Sequence, residues 1–139
     1  MLRLMRNPIF ICSIILLLVA CDMSEEKVMD EGPLKVYYND SSDQKVIAAF
    51  YDFWIKEKYV GDKSQSIKIT ENAERNVYEV RVILRKEFDP AATIDFKELQ
   101  LMSEIQQELN THVFMKKKCE LVICDNKFQT LSTPMPIIP

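Results

Sequence analysis

The chain has 139 residues, 28% of them charged and 47% hydrophobic, proportions that suit one folded domain and exclude disorder along the whole length. Its 18 basic residues against 21 acidic ones leave a formal charge of −3, which excludes the strongly basic surface a nucleic-acid binder needs to displace counterions from phosphates. Gly32 and Gly61 are the only glycines, so no glycine-rich loop can wrap a nucleotide phosphate.

From the N-terminus, Arg3 and Arg6 precede an apolar run, Ile9 to Val19, that is too short to span a bilayer as a permanent helix. The expectation is an export signal over residues 1–20, removed after Ala20. The run closes on Leu18-Val19-Ala20-Cys21, which resembles the lipobox of bacterial lipoproteins in having a small residue before the cut and a cysteine immediately after it. The resemblance covers about the first fifth of the chain. It implies cleavage between Ala20 and Cys21, a diacylglycerol on the Cys21 thiol and an N-acyl chain on the freed amino group, with no other cofactor. It also implies lipid anchoring in the bacterial cell envelope, at the inner membrane, the outer membrane or the cell surface. Asp22 resembles the inner-membrane retention signal of enterobacterial lipoproteins, whereas the acid-rich stretch from Asp22 to Glu26 resembles the surface-export tags of the Bacteroides group. The leaflet therefore stays open. Without Arg3 and Arg6, 16 basic residues face 21 acidic ones, and the chain from Cys21 onward carries −5.

Residues 22–33 hold Asp22, Glu25, Glu26, Asp30 and Glu31 against the single Lys27 and end in Gly32-Pro33, a composition that predicts a self-repelling tether. The domain is expected over residues 34–139. Leu34 to Tyr38 predicts a strand, and Asp43 to Val60 predicts a helix, with Val46, Ile47, Phe50, Phe53 and Trp54 at helical spacing and Gly61 as its left-handed cap. Ile67 and Ile69, then Tyr78, Val80, Val82 and Leu84, alternate with polar residues and predict a hairpin joined by Glu71 to Asn76. After Asp89-Pro90, Asp95 and Glu98 have capping-box spacing ahead of an apolar stripe of Phe96, Leu99, Met102, Ile105 and Leu109, which predicts a second helix. Cys119 to Cys124 predicts a strand, Asp125-Asn126 a tight turn, and Phe128 to Leu131 an optional closing strand, whereas the proline-rich residues 134–139 cannot continue a ladder. The fold class is α+β, a small single domain of βαββαβ(β) order, which matches the ferredoxin-like split βαβ pattern.

Candidate chemistry is sparse. His112 is the single histidine and stands where a second helix ends, a position in which an imidazole complements the terminal carbonyls. Cys119 and Cys124 lie at odd spacing on one strand and so face opposite sides, which excludes a mutual disulfide or a shared metal; one is expected in the core and the other near the surface. A metal site would need His112 and Asp125 to converge on one of these thiols. Lys116-Lys117-Lys118 reads as a solvated end to the helix, with attraction to anionic lipid as the alternative. Tyr51, Phe53 and Trp54 read as core packing with Tyr51 or Trp54 as the more exposed member, the alternative being a binding platform. No carboxylate pair stands apart from ordinary surface charge.

These features predict a non-enzymatic envelope lipoprotein that binds a protein partner near the membrane, as an accessory subunit of a secretion or surface assembly. Two alternatives remain: an immunity or inhibitor lipoprotein directed at a periplasmic toxin or hydrolase, and a small-ligand or metal-binding module using Cys119, Cys124 or His112. Neither catalytic residues nor nucleic-acid or nucleotide partners are expected.

Overall fold

The computed structural model describes residues 25–39, 42–83 and 95–132. In chain order they form β1 (Glu26–Asp30), β2 (Leu34–Asn39), α1 (Gln44–Lys56), β3 (Gln65–Asn72), β4 (Val77–Ile83), α2 (Phe96–His112) and β5 (Cys119–Cys124). The strands make one mixed sheet in the spatial order β1-β2-β3-β4-β5. β1 with β2 and β3 with β4 pair antiparallel, while β2 with β3 and β4 with β5 pair parallel. The result is a single α+β domain.

Two rows of side chains cross the sheet under the helices. Val36, Ile67, Val82 and Ile123 form one, and Tyr38, Ile69, Val80 and Leu121 the other, because the register sets them opposite one another and strand side chains alternate between faces. α1 contributes Ile47, Phe50 and Trp54 to the same core, and α2 contributes Met102, Ile105 and Leu109. Phe114, just past α2, stands between Phe50 and Tyr78 with ring centroids 6.2 and 5.2 Å away, joining both helical regions to β4. Among the described residues no helix is long and apolar enough to cross a membrane.

Several sequence expectations need correction. Glu26–Asp30 is not tether but an edge strand, paired from Glu26 opposite Asn39 to Asp30 opposite Lys35. Its charges are what an outermost strand tolerates, since among the described residues it is laddered on one side only, and Glu26, Val28 and Asp30 are exposed. Met29 turns inward against the core, Gly32 takes a φ of 123° that suits glycine, and the Tyr51 hydroxyl donates to the Glu31 carbonyl at 2.7 Å, fixing the turn onto α1.

The split βαβ arrangement is not adopted either. In that pattern the first strand is central, with the last strand beside it, but here β2 has β1 on one side and β3 on the other, so no place is left for β5. Both βαβ units are direct, each joining neighbouring parallel strands. The expected closing strand at Phe128 to Leu131 reduces to one bridge, Cys124 to Thr130, because the Asp125 carboxylate accepts from the N–H groups of Lys127 (2.8 Å) and Gln129 (2.9 Å) and holds a wider turn.

Both helices start where expected. Asp43 caps α1 by accepting from Lys45 N–H at 3.0 Å, and Asp95 with Glu98 forms the capping box of α2. α1 stops at Lys56 rather than Val60, and its left-handed cap is Lys58 (φ 60°) rather than Gly61. Lys58 N–H donates to the Ile55 carbonyl (3.1 Å) and Tyr59 N–H to the Trp54 carbonyl (3.2 Å), a Schellman pair reinforced by the Tyr59 ring meeting Trp54 edge-on at 5.1 Å. That aromatic contact sets the stop. On α2, Phe96 is 75% exposed and leaves the buried stripe, since at 3.6 residues per turn it lies about 120° around the helix from Met102. Leu84, Asp89-Pro90, residues 134–139, the export signal with Ala20, and Cys21 lie outside the described residues.

A left-handed conformation costs a residue with a Cβ about 1–2 kcal/mol, which glycine avoids. Lys58→Gly is therefore expected to stabilise the domain by about 0.5–1 kcal/mol, read as a higher urea midpoint at unchanged slope.

Candidate functional site

The residues singled out in the sequence do not converge. His112 ends α2 as expected, with Nε2 3.2 Å from the Glu108 carboxylate and its ring stacked on Phe53 at 5.8 Å. Cys119 faces the helices, and Cys124 lies on the opposite side of β5, near Arg81. Both thiols are buried, so neither is the near-surface member expected. Burial pushes the Cys119 thiol well above its ordinary range, and burial also raises Cys124 despite the opposing charge and hydrogen bond of Arg81. Such thiols are poor nucleophiles.

The aromatic group is structural. Tyr51 and Trp54 are 7% and 2% exposed, which corrects the expectation that one of them would face solvent. Trp54 Nε1 donates to Gln65 Oε1 at 2.9 Å, anchoring α1 to the start of β3. In the lysine run, Lys117 pairs with Glu71 at 2.8 Å and lies over the Tyr78 ring, and Lys118 donates to the Asn110 carbonyl at 3.1 Å near the end of α2.

The two edges of the sheet are treated differently. Along β5, Asn110 acts as a substitute strand: its Oδ1 accepts from Cys119 N–H at 2.7 Å and its Nδ2 donates to the Cys119 carbonyl at 3.0 Å. One turn earlier on α2, buried Gln106 accepts from Leu121 N–H at 2.9 Å. Further along, Leu131 N–H donates to the Ile123 carbonyl at 2.8 Å. Helix side chains and the returning chain thus occupy this edge.

The β1 edge has no such cover among the described residues. Gln65 N–H donates to the Pro33 carbonyl at 2.8 Å, so Lys35, Tyr37 and Asn39 aim their backbone groups at β3 while Leu34, Val36 and Tyr38 aim theirs at β1. Met29 and Lys27 are the facing residues that exchange bonds with Val36 and Tyr38. The N–H and C=O groups of Glu26, Val28 and Asp30 consequently point away from the sheet.

The face opposite α1 and α2 carries charge. Arg81 donates to Glu79 at 2.8 Å, to the Phe128 carbonyl at 3.1 Å and to Thr130 Oγ1 at 2.9 Å, tying the returning chain to β4. Asn72 Nδ2 donates to the other Glu79 oxygen at 3.1 Å. Burial raises the Glu79 carboxyl, but the hydrogen bonds from Asn72 and Arg81 and the charges of Arg81 and Arg75 outweigh it, and the net result lies below the ordinary carboxylate value. Glu120, opposite Glu79 on β5, pairs with Arg75 through Oε1, and its buried Oε2 has no partner among the described residues. At the β1 end, Glu26 pairs with Lys68 and Asp30 with Lys35, all four partly exposed.

A single five-stranded α+β domain, with its β5 edge covered and its β1 edge without cover among the described residues, is the class that fold and site define. Comparison with protein-family models, with curated proteins and with solved structures found no match.

Sequence reasoning missed the β1 edge because β1 looked like tether: its two apolar residues, Val28 and Met29, are adjacent and fall on opposite faces, so no alternation marks the strand. It missed the covering of β5 because Gln106 and Asn110 read as polar helix residues, although their spacing of four puts them on one face.

Two outcomes follow. Asn110→Ala removes the partners of a buried N–H and a carbonyl together, and is expected to cost about 2–4 kcal/mol in urea unfolding, more than Thr111→Ala on the exposed side. Because the folded Glu79 carboxyl lies below its unfolded value, its contribution is present above about pH 4.3 and is lost as pH falls through the folded value. Glu79→Gln should therefore flatten the acid limb of a stability–pH curve while leaving the neutral-to-alkaline limb in place.

Proposed function

We propose that the chain is a lipid-anchored protein of the bacterial envelope whose domain binds a protein partner beside the membrane without catalysing a reaction. The observation that carries this reading is the β1 edge, without cover among the described residues, which begins five residues after Cys21. Lipidation of Cys21 is inferred from the lipobox resemblance of Leu18-Val19-Ala20-Cys21. With 3.3–3.6 Å per extended residue, a lipid on Cys21 would hold Glu26 within about 18 Å of the anchor point. Two or three acyl chains, at about 0.8 kcal/mol per buried methylene, would make that attachment lasting.

Other features support binding over chemistry. The thiols are poor nucleophiles, and the exposed His112 pairs with Glu108 on its own helix. The charge of −5 from Cys21 onward opposes adsorption of the domain to anionic headgroups, which favours presentation of a surface over spreading on lipid.

The test is palmitate labelling and in-cell cross-linking of a tagged full chain in a bacterial host, with Cys21→Ala as control. The expected result is label and a specific cross-linked protein in the membrane fraction of the natural chain, with both lost in Cys21→Ala. Absence of label would overturn the anchor, and absence of any specific cross-linked protein would overturn partner binding.

A further inference from the structure

We propose that the outer edge of β1 accepts one extended strand of a partner protein, and that the accepted strand carries basic, apolar and basic side chains at alternate positions. This rests on the partner-binding reading above and names the mode and chemistry of that binding.

The outward backbone groups of Glu26, Val28 and Asp30 supply the hydrogen bonds that strand addition uses. β1 is also held in place before any partner arrives, by Met29 against the core and by the Tyr51 bond to Glu31 behind its turn. A fixed acceptor strand loses little freedom on binding.

Side-chain chemistry sets the occupant. Glu26, Val28 and Asp30 share the face opposite α1 and α2, so an added strand places three alternate residues directly opposite them. Val28 is 50% exposed and asks for an apolar neighbour. Glu26 and Asp30 each engage one oxygen with Lys68 or Lys35, and the second oxygen of each has no partner among the described residues. Exposed Glu25 and Glu31 extend the acidic field at either end. A second copy of this chain fits poorly: antiparallel pairing centred on Val28 would set Glu26 against Asp30 of the other copy, like charge against like.

The experiment measures amide hydrogen exchange at Val28 in the full chain in detergent, with an end-blocked peptide Thr-Lys-Thr-Val-Thr-Lys-Thr as probe and Thr-Glu-Thr-Val-Thr-Glu-Thr as its acidic counterpart. At millimolar basic peptide, exchange at Val28 is expected to slow about tenfold while Met29, already laddered to β2, changes little. The acidic peptide should have no effect. Val28→Pro removes the outward N–H while leaving the bonds to β2, and should abolish basic-peptide binding as measured by fluorescence anisotropy of a labelled peptide. Should that variant fail to fold, Glu26→Gln combined with Asp30→Asn serves instead and should remove the preference for the basic peptide. Unchanged Val28 exchange, equal slowing by both peptides, or slowing by protein concentration alone would each overturn strand addition by a basic segment. Cross-linking to a membrane partner under any of those outcomes would leave the partner-binding reading standing and move the contact elsewhere.

Discussion

The antiparallel register of β3 against β4 is the constraint on which the rest of the structure depends. Ile67 sits opposite Val82 and Ile69 opposite Val80, all four buried beneath the helices. A slip of one residue would send one strand's apolar set to the face that carries Lys68 and Arg81. Each fully buried aliphatic side chain contributes about 1.5–3 kcal/mol, so such a slip would remove an amount comparable to the whole stability of a small domain. The parallel neighbours extend this register outward, β2 matching β3 and β5 matching β4, and the two core rows continue across without a break.

Once one face is covered by helices, the sheet must satisfy its backbone at two edges and its side chains on the opposite face, where Glu120, Val122 and Cys124 are also buried. α2 does two jobs, packing Met102, Ile105 and Leu109 on the core while Gln106 and Asn110 stand in for a sixth strand. On that face, burial of Glu79 is tolerated because both its oxygens are bonded, whereas Glu120 leaves one oxygen without a partner among the described residues, a local cost of about 1–3 kcal/mol. That cost is outweighed by the surrounding strand, where Cys119, Leu121, Val122 and Ile123 are all buried.

The legible part of the fold was the part governed by local periodicity. Alternation at Ile67, Ile69, Val80 and Val82 and the cap chemistry of Asp43 and Asp95 located two strands and two helix starts, since these signals act within a few residues. Strand order was not legible: the direct βαβ arrangement depends on β1 filling one side of β2, and β1 was hidden because an outer strand needs few apolar residues. The end of α1 was misplaced because Gly61 is the better intrinsic cap, yet Tyr59 packing on Trp54 overrides that preference and forces Lys58 into the left-handed region. At the candidate site, the short distance between Cys21 and the domain became apparent only with β1 in place, and the outward direction of its backbone depends on ladder geometry that composition cannot convey.

The strand order also governs how the chain can assemble. Every strand pairs with the one made immediately before it, so a chain emerging N-terminus first, from a ribosome or through a membrane pore, never has to wait for a later strand to complete an earlier pairing. The longest closures are the two crossovers, residues 40–64 and 84–118, and each carries its own helix that shortens the search. The two parallel pairings remain the slow steps, because each must close a crossover before its contacts form, whereas the hairpins β1-β2 and β3-β4 close over short turns. β5 arrives last, and the helix that seals its outer edge has already formed ahead of it in the chain. Among the described residues, the growing sheet is thus closed at the end where synthesis finishes and left uncovered at the end where it began.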